Sequence, residues 1–176
     1  MNFLTLSERE ILSPAIYNQI RDRHIVISIS GSDDKETVIP NNPNRAGKLH
    51  LKFDDVEDIQ EEFIYFDRGC AEEILEFVEK HCMAINLIVV QCQAGLSRSV
   101  AVASALSKIL NGRDDAVFTK GIPNMFVYTT ILDYFFANPN WAADYPKIST
   151  VRNKQLAQFL TPAMIRLYSA KTRKRL

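Results

Sequence analysis

Between Gln91 and Ser99 the chain reads Gln-Cys-Gln-Ala-Gly-Leu-Ser-Arg-Ser, which sets a cysteine, a glycine, an arginine and a serine at fixed steps in one short segment. Each type has a task at a single bound anion. A cysteine beside an arginine at a helix N-terminus favours the thiolate, which is the nucleophilic form. Arg98 follows Cys92 after five residues, enough for the loop to turn back and bring a planar guanidinium to two oxygens of one phosphate. Gly95 permits the sharp turn. Ser99 brings a hydroxyl close to the sulfur, where it can stabilise a departing thiolate. The loop residues Gln93, Ala94, Gly95, Leu96 and Ser97, with Arg98, are the expected phosphate cradle. A loop entering a helix leaves several backbone N–H groups unpaired and aimed at one spot, where the helix dipole adds positive charge.

Such a loop needs a strand before it and a helix after it. Leu87-Ile88-Val89-Val90 is short and strongly β-forming, and it reads as a central strand. Val100 to Leu110 is almost wholly apolar and closes at Asn111-Gly112, which predicts a buried helix. Ile25 to Ile29 is a second buried strand, ending at Ser30-Gly31-Ser32-Asp33-Asp34, and an irregular stretch runs through Pro40, Pro43 and Gly47. Leu49 to Phe53 alternates and delivers the acidic run Asp54-Asp55-Val56-Glu57-Asp58. Helices are expected from an Asp67 N-cap, from about Asn124 to Ala137, and from about Thr150 to Ala170 despite Pro162. The segments 1–23 and 140–176 are expected to pack as helices around the core, with Trp141, Tyr145 and Phe159 as anchors. The pattern predicts an α/β fold, a short central mixed β-sheet flanked by α-helices. A single domain over 1–176 is expected, its catalytic core at about 25–137 and a helical extension at about 140–176.

Composition narrows the function classes. The chain has 176 residues, 47% hydrophobic and 24% charged, which fits one ordinary domain. No apolar run approaches the roughly 20 residues of a membrane span. Lysine plus arginine equals aspartate plus glutamate at 21 each, so no global field favours nucleic acid. The basic cluster from Lys171 to Arg175 reads as a solvated end. The N-terminal segment lacks a basic stretch before an apolar core, so a cytoplasmic location is expected. Cys70, Cys82 and Cys92 form no CxxC pair and no even set, which argues against a zinc site or a disulfide framework.

The Cys-x5-Arg-Ser signature followed by a buried helix resembles the protein tyrosine phosphatase superfamily. The Ala-Gly-Leu-Ser-Arg-Ser wording is most similar to its dual-specificity branch. The likeness runs from about Ile25 to Phe136 and is specific in the loop. It implies a sheet flanked by helices, no cofactor or metal, and phosphomonoester hydrolysis through a phosphocysteine. It also implies a general acid on an earlier loop, because an alkoxide or phenolate leaves poorly unprotonated. Asp54-Asp55 matches, and since relatives with a doubled acid generally use the second, Asp55 is preferred to Asp54. Glu57 and Asp58 are expected to be surface charges. Pro123-Asn124 matches a Pro-Asn pair that opens a later helix, where Asn124 either orients the phosphate loop or only caps the helix. One departure is Gln91, where histidine is usual; it can hydrogen-bond but carries no positive charge. His24, His50 and His81 are read as structural or exposed.

The loop contains no lysine between Cys92 and Arg98. Within the resemblance this points away from multiply phosphorylated lipids and toward a phosphorylated protein, phosphotyrosine first. Neither a membrane nor a nucleic-acid partner is expected. Three other readings use part of the same constellation. An RNA 5′-triphosphatase-like enzyme should carry a basic channel. A non-catalytic phospho-residue-binding module would tolerate loss of Cys92 or the acid, and neither is lost. A rhodanese-type sulfurtransferase has no use for the Asp54-Asp55 loop.

Overall fold

The computed structural model describes residues 1–58 and 61–138. In chain order the elements are β1 (Asn2–Ser7), α1 (Glu8–Leu12), α2 (Pro14–Tyr17), β2 (His24–Ser30), β3 (Arg45–Lys52), α3 (Arg68–His81), β4 (Leu87–Cys92), α4 (Arg98–Asn111), α5 (Asp115–Phe118) and α6 (Met125–Ala137). The strands form one sheet in the order β1-β4-β2-β3. β2 and β4 are buried along their whole length, as a strand covered on both faces must be.

Alternation along these strands divides the core in two. Ile25, Ile27, Ile29, Ile88, Val90 and Cys92 join the cluster formed with α3, α4 and α6. Val26, Leu87 and Val89 join Leu6, Ile11, Tyr17 and Ile20 on the opposite face. α3 offers a narrow apolar stripe of Ala71, Ile74, Leu75 and Val78. α4 is buried without interruption from Arg98 to Ser107, because it lies between the sheet and α6. Its end is set by Gly112 at φ 79°, whose N–H returns to the Lys108 carbonyl at 3.0 Å. The Asp67 side chain caps α3 by accepting from the Cys70 N–H at 2.8 Å.

The α/β architecture agrees with expectation, with three corrections. All three strand pairings are parallel, so the sheet is not mixed among the described residues. Segment 1–23 is not purely helical, because Asn2–Ser7 is an edge strand paired with β4 and the core therefore begins well before residue 25. β3 also starts at Arg45, inside the stretch read as irregular. The helix expected over Thr150–Ala170, the anchors Trp141, Tyr145 and Phe159, and the basic cluster at 171–175 lie outside the described residues.

Candidate active site

In a parallel sheet the loops leaving the C-terminal strand ends meet at one edge. Here those loops are 31–44 after β2, 53–67 after β3 and 93–97 between β4 and α4. Cys92 closes β4 and is 2% exposed. Its Sγ accepts from the Gly95 N–H at 3.3 Å and lies 3.2 Å from Ser99 Oγ. Gly95 has φ 75°, and a Cβ there would come within 2.6 Å of the Ser7 backbone nitrogen. The Glu8 N–H donates to the Gln93 carbonyl at 3.2 Å. The end of β1 thus braces the loop from behind, and only glycine fits against it. Gln93, Ala94 and Leu96 are exposed on the outer side of the loop.

Arg98, the first residue of α4, is 5% exposed. One Nη donates to the Phe53 carbonyl at 2.8 Å, which orients the guanidinium plane, while Nε is buried without a hydrogen-bond partner among the described residues. A buried, unspent N–H on a fixed cation is costly to leave unpaired, and an oxyanion is its natural partner.

The acidic loop after β3 has divided roles. Asp54 accepts the N–H groups of Ser32 at 2.9 Å and Ile64 at 3.0 Å, one on each oxygen. Burial opposes its charge, yet these hydrogen bonds and the charge of Arg98 outweigh it and hold the carboxyl below the ordinary aspartate range. Asp55, the expected acid, is 38% exposed and stands 3.9 Å from Arg98 Nε through Oδ2. Its Oδ1 accepts from Ser97 Oγ at 2.8 Å and Asn124 Nδ2 at 2.9 Å, leaving Oδ2 free of hydrogen bonds among the described residues.

Asn124 caps α6, its Oδ1 accepting from the Val127 N–H at 3.0 Å. The same side chain holds Asp55 and the Val56 carbonyl, so it serves the acidic loop rather than the phosphate loop. Glu57 accepts the Met125 N–H at 2.8 Å and is a second tie to α6, not only a surface charge. A carboxylate facing a helix start about seventy residues away has no local sequence pattern. Pro123-Asn124 was the one visible signal.

Gln91 is wholly buried and accepts from Ser28 Oγ at 2.8 Å. His24 is buried between Tyr17 and the Asp22 carbonyl, His50 meets Ser30 Oγ, and His81 binds the Phe77 carbonyl within its own helix. Burial pushes the Cys70 thiol up to about 11 and raises that of Cys82, so neither is a thiolate near neutral pH.

No protein-family model matches the sequence, and no curated protein matches it. Solved structures do. The fold is that of the dual-specificity phosphatases. Human DUSP28 superposes with a TM-score of 0.55 at 16% identity, covering 77% of this chain and 92% of that one. A human tyrosine phosphatase-like serine/threonine/tyrosine-interacting protein gives 0.56 at 16%, covering 77% and 91%. DUSP15 gives 0.54 at 14%, covering 86% and 91%.

Proposed function

We propose that the protein is a cysteine-dependent phosphomonoesterase acting on phosphorylated protein, with phosphotyrosine the leading substrate. The observation that carries this is the pair of groups at Cys92 Sγ, the Gly95 N–H and the Ser99 hydroxyl, together with a buried Arg98 at the other end of the loop whose Nε has no hydrogen-bond partner among the described residues. In this reading the phosphate lies in the loop with two oxygens on Arg98, and Sγ attacks phosphorus in line with the leaving oxygen. The S–P bond forms as the P–O bond breaks, and Asp55 Oδ2 gives its proton to the departing alkoxide or phenolate. Water, deprotonated by the same carboxylate, then attacks the phosphocysteine, and Ser99 donates to the thiolate as it leaves. Cytoplasmic location and the choice of Asp55 belong to this proposal.

The test is hydrolysis of p-nitrophenyl phosphate with a chelator present. Turnover should fall by at least about 10³-fold in Cys92→Ser, and Asp55→Asn should lose the high-pH limb of the rate profile. Turnover that persists in Cys92→Ser overturns the mechanism. An inert wild type that binds phosphotyrosine peptides tightly would mark a phospho-residue reader instead.

A further inference from the structure

Beside the phosphate loop lies a cavity of about 140 Å³, at the C-terminal ends of β2 and β4. Glu8, Asp34, Lys35, Thr37, Gln91 and Gln93 are among the residues that line it. Gln93 belongs to the cradle itself, and alternation along β4 turns Gln91 away from Cys92 toward the α1 face. The cavity therefore adjoins the cradle without overlapping the groups that converge on Cys92 Sγ.

Its polar groups are incompletely matched. Gln91 is wholly buried; Oε1 takes the Ser28 hydroxyl, but Nε2 has no hydrogen-bond partner among the described residues. Glu8 Oε1 accepts from Thr37 Oγ1 at 3.0 Å and Asp34 Oδ2 accepts from the Gly31 N–H at 3.1 Å. Among the described residues neither carboxylate forms a salt bridge, and neither does Lys35.

These leftovers select a ligand chemistry. A cation would satisfy the carboxylates but would leave the Gln91 N–H unpaired and face Lys35. An anion would suit Gln91 and Lys35 but would meet two carboxylates. A neutral group with an acceptor for Gln91 Nε2 and a donor for Glu8 answers both, and a primary carboxamide is such a group. The volume resembles that of an apolar cavity of about 150 Å³ that holds benzene, so a carboxamide and its methylenes fit.

Resting on the reading of the cradle as a phosphopeptide site, we propose that this cavity is a second subsite. It receives the side-chain carboxamide of a glutamine or asparagine that flanks the phosphorylated residue.

Binding to the full-length Cys92→Ser chain tests this without requiring turnover. Fluorescence anisotropy would read the affinities of phosphotyrosine peptides carrying Gln, Glu, Met or Lys at each flanking position in an alanine background. At one position Gln should bind about tenfold tighter than the other three, and adding Glu8→Ala or Gln91→Met should cut that preference below about twofold. If Gln91→Met does not fold, the Glu8→Ala arm decides. Equal binding at every position, or a preference untouched by Glu8→Ala, overturns the subsite. A Lys preference lost in Glu8→Ala overturns the carboxamide in favour of a cation pocket. Failure to bind any phosphopeptide overturns the subsite together with the cradle reading. Wild-type turnover of p-nitrophenyl phosphate reads the catalytic proposal separately: turnover without a Gln preference sinks only the subsite, and a Gln preference without turnover sinks only catalysis.

Discussion

The two halves of the candidate site are built by different means. The phosphate loop is an outgrowth of the core: Cys92, Arg98 and Ser99 are 2%, 5% and 0% exposed, and their backbone belongs to a buried strand and a buried helix. The acidic loop hangs at the surface, with Asp55 exposed and fastened by side chains borrowed from elsewhere, namely Ser97, Asn124 and Arg98. Packing holds the first half and a few polar ties hold the second. Substitutions in the two halves should therefore fail differently.

After loss of the Cys92 thiol, the largest effect is expected from Arg98→Lys. Lysine keeps the charge but loses the planar fork proposed to span two phosphate oxygens and the fixed donor to the Phe53 carbonyl, so kcat/KM should fall by about 10³-fold. A loss of less than about tenfold would remove the planar grip on phosphate that the comparison assumes. Asn124→Ala should do less and do it selectively. Releasing Asp55 should lower kcat about tenfold with little change in KM, while loss of the α6 cap costs about 1 kcal/mol in denaturant unfolding. If stability collapses while kcat holds, Asn124 is a cap alone and the acidic loop has another anchor.

The smallest effect concerns Asp54. Its folded carboxyl is held below the unfolded value of about 3.9, so the stability it contributes is full above that pH and is lost as pH falls through the lower folded value. Melting curves of wild type and Asp54→Asn should differ near pH 6 and converge toward pH 2.5. A gap that stays constant down to that pH would mean that Asp54 is not an ionised latch.

Much of the core half is legible in the chain because its signals are local. The β-branched run before Cys92, the apolar run after Ser99, the Asp67 cap and the Gly112 stop all lie within a few residues of what they define. What escapes is long-range. Asn2–Ser7 has little to distinguish it until β4 is placed beside it, although Ser7 and Glu10 form a capping box that marks where the strand must give way to α1. The ties from Asn124 to Asp55 and from Glu57 to Met125 join segments about seventy residues apart in sequence, and no periodicity records them. Gln91 could be seen as a departure from a familiar pattern, but its partner Ser28 could be found only once β2 and β4 were adjacent.

The bracing of the phosphate loop by β1 also bears on the order in which the molecule becomes competent. β1 precedes every other element in the chain, yet its partner is β4, made only after β2, β3 and α3. During synthesis that strand must wait unpaired, and closing so long a loop is slow relative to forming helices. Until it docks, Gly95 has no backbone to press against and the Gln93 carbonyl lacks its donor. In refolding, if the loop is the phosphate site proposed above, the recovery of phosphate binding should trail the recovery of helical signal, because the loop is braced only once β1 has docked.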